Sequence, residues 1–333
     1  MWSEAIKGQD IAVKMLKKAM QQQRLAQSYL FYGPEGVGKF HTARQLAMAI
    51  QCDQGFGIGC GVCPACKKIL SGNHPDWHVI EPEGSSNTIR VEQIRDLRRL
   101  MSLRPNEGRR RIVVFDAADR MNEIAANALL KTLEEPPEES LLILVTSRPS
   151  ALLATIFSRC YPLRFSKLTN IILNEVLNQS IPEAREWQES KKITMLSLAN
   201  GSWGQLLRLQ EDDQENTVEK RLQHIAWYIE EPNWTMLQRL SFAEKRNSEW
   251  KERDDWQELW VQWETLTRDR IALARGVDVK HLINIDVAVS LQQMPLCSEA
   301  QLWHRLSQLR EALTQLSSYT SPRLVAEGLL IKW

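Results

Sequence analysis

The residues near the start of the chain that are best suited to chemistry form a glycine-rich loop at 33–40, Gly-Pro-Glu-Gly-Val-Gly-Lys-Phe. Its G-x-x-x-x-G-K spacing is that of a phosphate-binding (Walker A) loop, in which backbone N–H groups point at phosphate oxygens and Lys39 neutralises their charge. The next position normally gives a Ser or Thr hydroxyl to the nucleotide's magnesium, but Phe40 stands there and its ring coordinates no metal. The loop glycines are Gly33, Gly36 and Gly38.

A second segment that can take part in nucleotide chemistry is Arg-Ile-Val-Val-Phe-Asp-Ala-Ala-Asp at 111–119. It has the form of a Walker B strand, in which Asp116 stands where a metal-holding carboxylate belongs. In an ATPase of this class the next residue is usually a glutamate that activates the attacking water. Here it is Ala117, which cannot do so. A plain core strand is the alternative, and the glycine loop that precedes it makes this alternative less favoured.

Four cysteines follow the glycine loop in the pattern C-x7-C-x2-C-x2-C: Cys52, Cys60, Cys63 and Cys66. The two C-x2-C steps place thiolates about one coordination sphere apart, and the first cysteine, at a helix end, can complete a tetrahedron. Thiolates without histidine favour Zn²⁺. We therefore predict a closed, structural zinc site, with four unligated thiols as the alternative. Cys160 and Cys297 are isolated, and we expect both to be buried.

The elements that must position these residues alternate between strand and helix. Short apolar runs predict strands, and amphipathic periodicity predicts helices between them. This alternation predicts a parallel sheet with helices on both faces, whose ligands bind at the carboxyl ends of the strands. The predicted strands are 28–32, 77–80, 112–115 and 141–146, and the predicted helices are 14–23, 42–50, 91–103 and 125–133.

Composition bounds the class of protein. The chain has 333 residues, 43% apolar and 25% charged, which is typical of a globular protein with two or three domains. Its net charge of +1 argues against a protein that coats nucleic acid unaided. The first residues have no apolar run of signal-peptide length, and the longest aliphatic run, 141–145, cannot span a bilayer. We therefore expect a cytoplasmic protein without membrane partners.

The pattern changes after about residue 165, where strands give way to helices. We predict three parts: an α/β phosphate-loop domain at 1–166 with the cysteine module at 52–66, an all-α lid at 167–210, and an all-α collar at 211–333. In the collar, Trp256, Trp260 and Trp263 share one helical face. Such a stripe can stack on single-stranded DNA, but it is more often core, and we favour core.

The most specific string is Asn-Ala-Leu-Leu-Lys-Thr-Leu-Glu-Glu-Pro-Pro at 127–137. With the glycine loop and the cysteines, it resembles the bacterial clamp-loader subunits of DNA polymerase III, within the AAA+ class. The resemblance extends to Gly8-Gln9, to Ser158-Arg159-Cys160 and to Ser-Pro-Arg-Leu-Val-Ala-Glu at 321–327, and so covers nearly the whole chain.

The resemblance implies a fold, partners and roles for two further residues. Arg159 would reach toward ATP bound in a neighbouring subunit, where its guanidinium can stabilise the charge on the transferring phosphoryl group. A surface arginine in a salt bridge is the alternative. Thr146 would be the first sensor residue, at the tip of a strand. The implied partners are gamma/tau-like motor subunits, a delta-like clamp opener, the sliding clamp and primer-template DNA, in a replisome associated with the nucleoid.

Three residues that depart from the family's catalytic pattern distinguish its ATP-hydrolysing motor subunits from its other members. Phe40, Ala117 and a glycine in the Gly-Ser-Trp-Gly segment at 201–204 stand where a motor subunit needs a hydroxyl, a glutamate and a lid arginine. The pattern therefore resembles the delta prime members, which complete a neighbour's site without ATPase activity of their own. ATP or ADP would bind weakly or not at all. The alternatives are an ATP-hydrolysing gamma/tau-like motor subunit and, in another class, a zinc-dependent nucleic-acid-binding module.

A basic segment remains open to several interpretations. Arg95, Arg98 and Arg99 form one helical face, and 109–111 is a run of three arginines nearby. Solvated charge, subunit contact and tracking of DNA phosphates all fit this pattern.

Overall fold

A computed structural model of the chain describes residues 2–84, 87–211, 214–250, 253–295, 297–317 and 321–333. The chain divides into two compact units. The first contains Met1–Leu168 and Ser202–Gly204, and the second contains Thr169–Gly201 and Gln205–Trp333. The three-part division into phosphate-loop domain, lid and collar stays a prediction.

The first unit is built on a five-stranded parallel sheet with the order β2-β3-β4-β1-β5. Its strands are β1 (Ser28–Tyr32), β2 (Trp77–Ile80), β3 (Arg111–Phe115), β4 (Ser140–Thr146) and β5 (Tyr161–Arg164). The four strands predicted from apolar runs are therefore confirmed, and so is the parallel sheet. Because β3, β4 and β1 are neighbours, their carboxyl ends lie at one edge of the sheet.

Helices flank the sheet, and they form the regular structure in the described residues of the second unit. In the first unit they are α1 (Asp10–Gln21), α2 (Lys39–Gln51), α3 (Pro64–Leu70), α4 (Val91–Met101), α5 (Glu123–Glu134) and α6 (Ala154–Phe157). The remaining helices are α7 (Asn170–Ser180), α8 (Glu189–Ala199), α9 (Trp203–Glu211), α10 (Gln214–Glu230), α11 (Met236–Glu249), α12 (Arg253–Ala274), α13 (Ala288–Gln293), α14 (Glu299–Ser317) and α15 (Pro322–Ile331). None of the helices in the described ranges has the length and apolarity needed to cross a membrane.

Side chains of the sheet alternate between two hydrophobic cores, as the two-residue period of a strand requires. Phe31 and Ile143 pack on one face with residues of α1, α2 and α3, whereas Leu30 and Leu142 pack on the other with residues of α4 and α5. All four of these strand side chains are fully buried. Continuous burial on both faces explains why these strands read as unbroken apolar runs.

Strand β5 is absent from the sequence prediction. Its sequence is Tyr-Pro-Leu-Arg, and only Leu163 is buried. Pro162 removes a backbone donor, which restricts such a segment to the edge of a sheet, and β5 indeed pairs only with β1. The strand forms because β1 has backbone groups free to pair on that side. A pattern of apolar residues within 161–164 cannot indicate this, because the partner strand lies far away in the sequence.

Tryptophans form the centre of the second unit. Trp256, Trp260 and Trp263 are each at most 1% exposed, and their rings contact one another in sequence. The indole Nε1 of Trp263 donates to the carbonyl of His224 at 3.0 Å. The prediction that this stripe is core is confirmed, so these rings are not platforms for nucleic-acid bases.

A buried charge cluster ties distant parts of the second unit together. Glu231 has a side chain only 1% exposed, and it pairs with Arg239 at 2.6 Å and with Arg305 at 3.2 Å. Arg239 Nη1 also donates to the carbonyl of Leu330, and the Arg305 guanidinium lies 4.9 Å from the centroid of the Trp333 ring. Burial raises the pKa of Glu231, while the two guanidinium groups oppose that shift. The cluster therefore holds the C-terminal residues through one carboxylate.

We expect Glu231→Gln to lower the free energy of unfolding by about 3 kcal/mol, because it leaves the buried Arg239 and the largely buried Arg305 without their counter-charge. Chemical denaturation followed by tryptophan fluorescence measures this loss. Glu230→Gln is the matched control, because Glu230 is an exposed neighbour with the same charge. Equal stabilities of the two variants would contradict the role given to Glu231.

Candidate functional site

The glycine loop connects β1 to α2 along a path that only glycine can follow at two positions. Gly33 has φ +147°, and an added Cβ would lie 2.2 Å from the Phe165 carbonyl oxygen. Gly36 has φ +70°, and its Cβ would lie 2.2 Å from the Ser202 hydroxyl. The Gly36 carbonyl in turn accepts a hydrogen bond from the Gly204 N–H at 3.0 Å. The phosphate-loop path is therefore present, and it is closely packed on one side.

Lys39 points into its own loop. Its Nζ donates to the carbonyl oxygens of Gly33 at 2.7 Å and Pro34 at 2.5 Å, and the residue is 6% exposed. Burial lowers the pKa of the Lys39 ammonium to about 8, although nearby carboxylates favour its charged form. A phosphate that enters the loop must therefore take the ammonium away from two backbone acceptors.

Phe40 belongs to the core. Its partly buried ring packs against the apolar cluster under the sheet and meets the Trp77 ring edge-on, with centroids 6.2 Å apart. The position that would offer a magnesium ligand in a complete Walker A loop thus contributes packing instead.

Asp116 lies directly after β3, at the sheet edge that carries the glycine loop. Burial raises the pKa of its carboxyl group, while the Ala117 N–H and the Lys39 charge oppose that shift. Asp116 Oδ1 accepts the Ala117 N–H at 3.0 Å. Ala117 itself has φ +54°, in the left-handed region that residues with a side chain rarely adopt. Its methyl group supplies no base for a water molecule.

Thr146 ends β4 and forms a network that the sequence interpretation missed. Its hydroxyl donates to Asp119 Oδ1 at 2.7 Å and accepts the backbone N–H of Arg148 at 3.0 Å. Arg148 Nε donates to the other oxygen of Asp119 at 2.9 Å. The Asp119 side chain is 3% exposed, so it organises the end of β4 from inside. The second aspartate of the 111–119 segment was the only sequence signal for it.

The four clustered cysteines converge. Their Sγ atoms all lie within 4.8 Å of one another, and those of Cys52 and Cys63 are 4.0 Å apart. A tetrahedron with Zn–S bonds of about 2.3 Å has sulfur atoms about 3.8 Å apart, so this arrangement can close around one zinc ion. All four are free thiols. The donor set and its geometry therefore fit a metal ion of zinc's size and softness.

Backbone N–H groups donate hydrogen bonds to sulfur atoms of this cluster, which favours the thiolate form that binds a cation. The Cys63 N–H donates to the sulfur of Cys60 at 3.3 Å, and the Cys66 N–H donates to that of Cys63 at 3.5 Å. Hydrogen bonds from the backbone of Val62 and Cys63 lower the pKa of Cys60 to about 6. Burial raises the pKa of Cys66, which makes that thiolate costly without a cation beside it. The other two cysteines lie elsewhere: Cys160 is buried as predicted, whereas Cys297 is only half-buried, so the prediction was wrong for Cys297.

Arg159 lies just after α6 with an accessible guanidinium. It forms a salt bridge with Glu134, the last residue of α5, whose Oε1 lies 2.7 Å from Nη2. The two side chains are 34% and 50% exposed. Pairs this open to water contribute about 0–1 kcal/mol, so the arginine can exchange this partner for another at small cost.

The basic segment divides into two kinds of arginine. Arg95 and Arg99 are exposed and pair with acidic residues of their own helix, α4. Arg111 is buried, with a side chain 5% exposed, and it contacts Asp76 at 3.4 Å and several backbone carbonyls. Arg111 is therefore a structural residue, and its inclusion in a basic surface was wrong.

Comparison with known proteins gives a family match over the first unit. A model of the family described as "DNA polymerase III, delta subunit" matches residues 8–169. Three relatives illustrate the likeness. The delta' subunit of Bacillus subtilis strain 168 is 40% identical over 167 residues, which are 50% of this chain and 50% of the relative. The delta' subunit of Pseudomonas aeruginosa PAO1 is 45% identical over 136 residues, which are 40% of this chain and 42% of the relative.

A tau subunit matches as well. The B. subtilis DNA polymerase III subunit tau is 34% identical over 208 residues, covering 62% of this chain and 36% of the relative. The match thus spans half or less of the length of each of these three relatives. Over residues 8–169 the chain therefore matches the DNA polymerase III, delta subunit family model, and it resembles the delta' subunits of bacterial DNA polymerase III.

Proposed function

We propose that this protein is a non-motor subunit of a replicative clamp loader that helps to place a sliding clamp on primed DNA. The observation that carries this proposal is a division between two sites. The nucleotide-type pocket has Phe40 and Ala117 where a motor subunit has a hydroxyl and a glutamate, whereas Arg159 lies accessible on the surface of the same unit. The relatives named delta' support the assignment.

The residues that are replaced in this pocket would act in ATP hydrolysis, whereas the loop that would bind phosphate is kept. The Phe40 ring packs against Trp77 and cannot bind magnesium, and the Ala117 methyl group cannot act as a general base. Gly33, Gly36, Gly38, Lys39, Asp116 and Thr146 remain a degenerate nucleotide site that binds ATP or ADP weakly or not at all. Lys39 and Thr146 already have partners within the protein, which a nucleotide would have to displace.

Arg159 is the residue through which this subunit would act on chemistry. An arginine supplied in trans stabilises charge on a transferring phosphoryl group, and it is worth about 10³ to 10⁵ in rate in well-studied cases. We assign Arg159 this role toward ATP held by a neighbouring gamma/tau-like motor subunit. Its remaining partners would be a delta-like clamp opener, the sliding clamp and primer-template DNA, in the cytoplasmic replisome.

The cysteine module would hold one structural Zn²⁺ through Cys52, Cys60, Cys63 and Cys66. All four vertices of such a site belong to the protein, so the ion would serve folding and no vertex would be left for a substrate.

Reconstitution tests the proposed function. The chain is mixed with motor and clamp-opening subunits, and native mass spectrometry reports whether it enters a hetero-oligomer. Clamp loading on primed DNA is then compared with and without it. We expect incorporation and a loading activity that depends on this chain. Failure to enter the assembly would contradict the proposal.

Two alternatives give different results. The first is a gamma/tau-like motor subunit, which the similarity to a tau subunit favours. Such a subunit would hydrolyse ATP when purified. A zinc-dependent nucleic-acid-binding module would bind DNA tightly on its own, with an affinity that falls steeply with salt.

A further inference from the structure

Arg159 has partners within its own subunit at all three of its guanidinium nitrogens. Its Nε donates to Glu134 Oε1 at 2.9 Å, and Nη2 lies 2.7 Å from the same oxygen. Nη1 donates to the Thr155 carbonyl at 2.9 Å and to the Ser158 hydroxyl at 3.4 Å. A guanidinium has five N–H groups, and three of them donate hydrogen bonds here, while Nη2 adds an ion-pair contact.

The contact with Glu134 occupies the edge of the guanidinium best shaped for a phosphate. The Nε and Nη2 groups form one side of the planar fork, and carboxylates and phosphates recognise such a side through two parallel hydrogen bonds. While Glu134 holds this edge, Arg159 cannot present it to a phosphoryl group in another subunit. The two acceptors therefore compete for the same donors.

The position of Glu134 makes it an exchangeable partner. It is the last residue of α5, and a helix C-terminus disfavours a carboxylate because the last carbonyl groups carry partial negative charge. Arg159 is then the compensating cation, although both side chains remain substantially open to water. A phosphate that carries more charge can displace this carboxylate.

We propose that Glu134 holds Arg159 in a withdrawn position and releases it to a nucleoside triphosphate in the neighbouring subunit. This inference rests on the proposed role of Arg159 in trans. Glu134 is then a positioning residue, and it reduces the fraction of subunits whose arginine is ready to act. The reduction is about two- to fivefold, as expected for a half-exposed ion pair.

The test compares four proteins in the reconstituted assembly: wild type, Glu134→Gln, Glu135→Gln and Arg159→Ala. Glu135 is the matched control because it is exposed and adjacent, and among the described residues Arg159 forms its ion pair with Glu134 instead. We expect Glu134→Gln to raise kcat/KM for ATP at the neighbouring site about two- to fivefold, and Glu135→Gln to leave it unchanged. The gain should shrink with added salt, which screens the ion pair.

A second measurement uses the isolated full-length chain. The Nε–H resonance of Arg159, assigned by its loss in Arg159→Ala, should exchange with water faster in Glu134→Gln and not in Glu135→Gln. Equal exchange in wild type and Glu134→Gln would overturn the inference, as would an unchanged or reduced kcat/KM in the assembly. If Arg159→Ala itself leaves turnover unchanged, the role of Arg159 in trans is wrong, and the inference fails with it.

Discussion

Replacement of Arg159 by alanine should lower ATP turnover at the neighbouring site about 10³-fold, because the phosphoryl group loses its cationic partner in the transition state. The measurement needs an assembly in which only the neighbouring motor subunit can hydrolyse ATP, since other sites would mask the loss. Arg159→Lys keeps the charge without the planar fork, and we expect an intermediate rate.

The control for this variant is Arg164→Ala, which removes an exposed arginine of the same unit from strand β5. Folding of Arg159→Ala should be unaffected, because its salt bridge is open to water. Clamp loading and DNA-stimulated ATPase equal to those of wild type would remove Arg159 from the mechanism.

Removal of the proposed zinc ion should have the second large effect. Three of the four clustered cysteines are buried, at 0%, 5% and 0% exposure, and their side chains form part of the core that supports the sheet. Zinc sites of this kind contribute folding free energy directly, so we expect chelation to lower the free energy of unfolding by at least about 3 kcal/mol. Elemental analysis should find one zinc per chain, and a denaturation series with and without chelator measures the loss.

Cys63→Ser should reproduce the effect of chelation, because it removes one thiolate from the cluster, whereas the serine hydroxyl can keep the hydrogen bond from the Cys66 N–H that caps α3. Cys297→Ser should retain the metal, since Cys297 lies outside the cluster. Metal retention should also fall on acidification, because thiolates must be deprotonated to bind zinc. If the purified chain held no metal and its free energy of unfolding were the same with and without chelator, the four thiols would contribute to core packing only.

Local sequence was sufficient wherever a local rule determines the structure. The runs in β1 and β4 are buried on both faces, so their composition alone identified them as strands. The cysteines could be assigned to one cluster because short spacings limit how far apart the thiols can lie. The tryptophan face was identified as core by its helical spacing.

Features that depend on a distant partner escaped prediction. Arg111 looks like surface charge beside two other arginines, yet it pairs with Asp76, which also accepts the N–H groups of Asn106, Glu107 and Gly108. Nothing within the 109–111 run signals this carboxylate 35 residues away. Asp119 and Glu134 were missed for the same reason, because their partners Thr146 and Arg159 approach them only in the folded chain.

The rate of ATP hydrolysis by the isolated chain, supplied with zinc, tests most directly whether its own pocket is inactive while Arg159 acts on another subunit. The core position of Phe40 and the methyl group of Ala117 predict a rate no higher than that of buffer, with magnesium and DNA present. A rate near that of an assembled loader, lost in Lys39→Ala, would contradict the claim and make this chain a motor subunit.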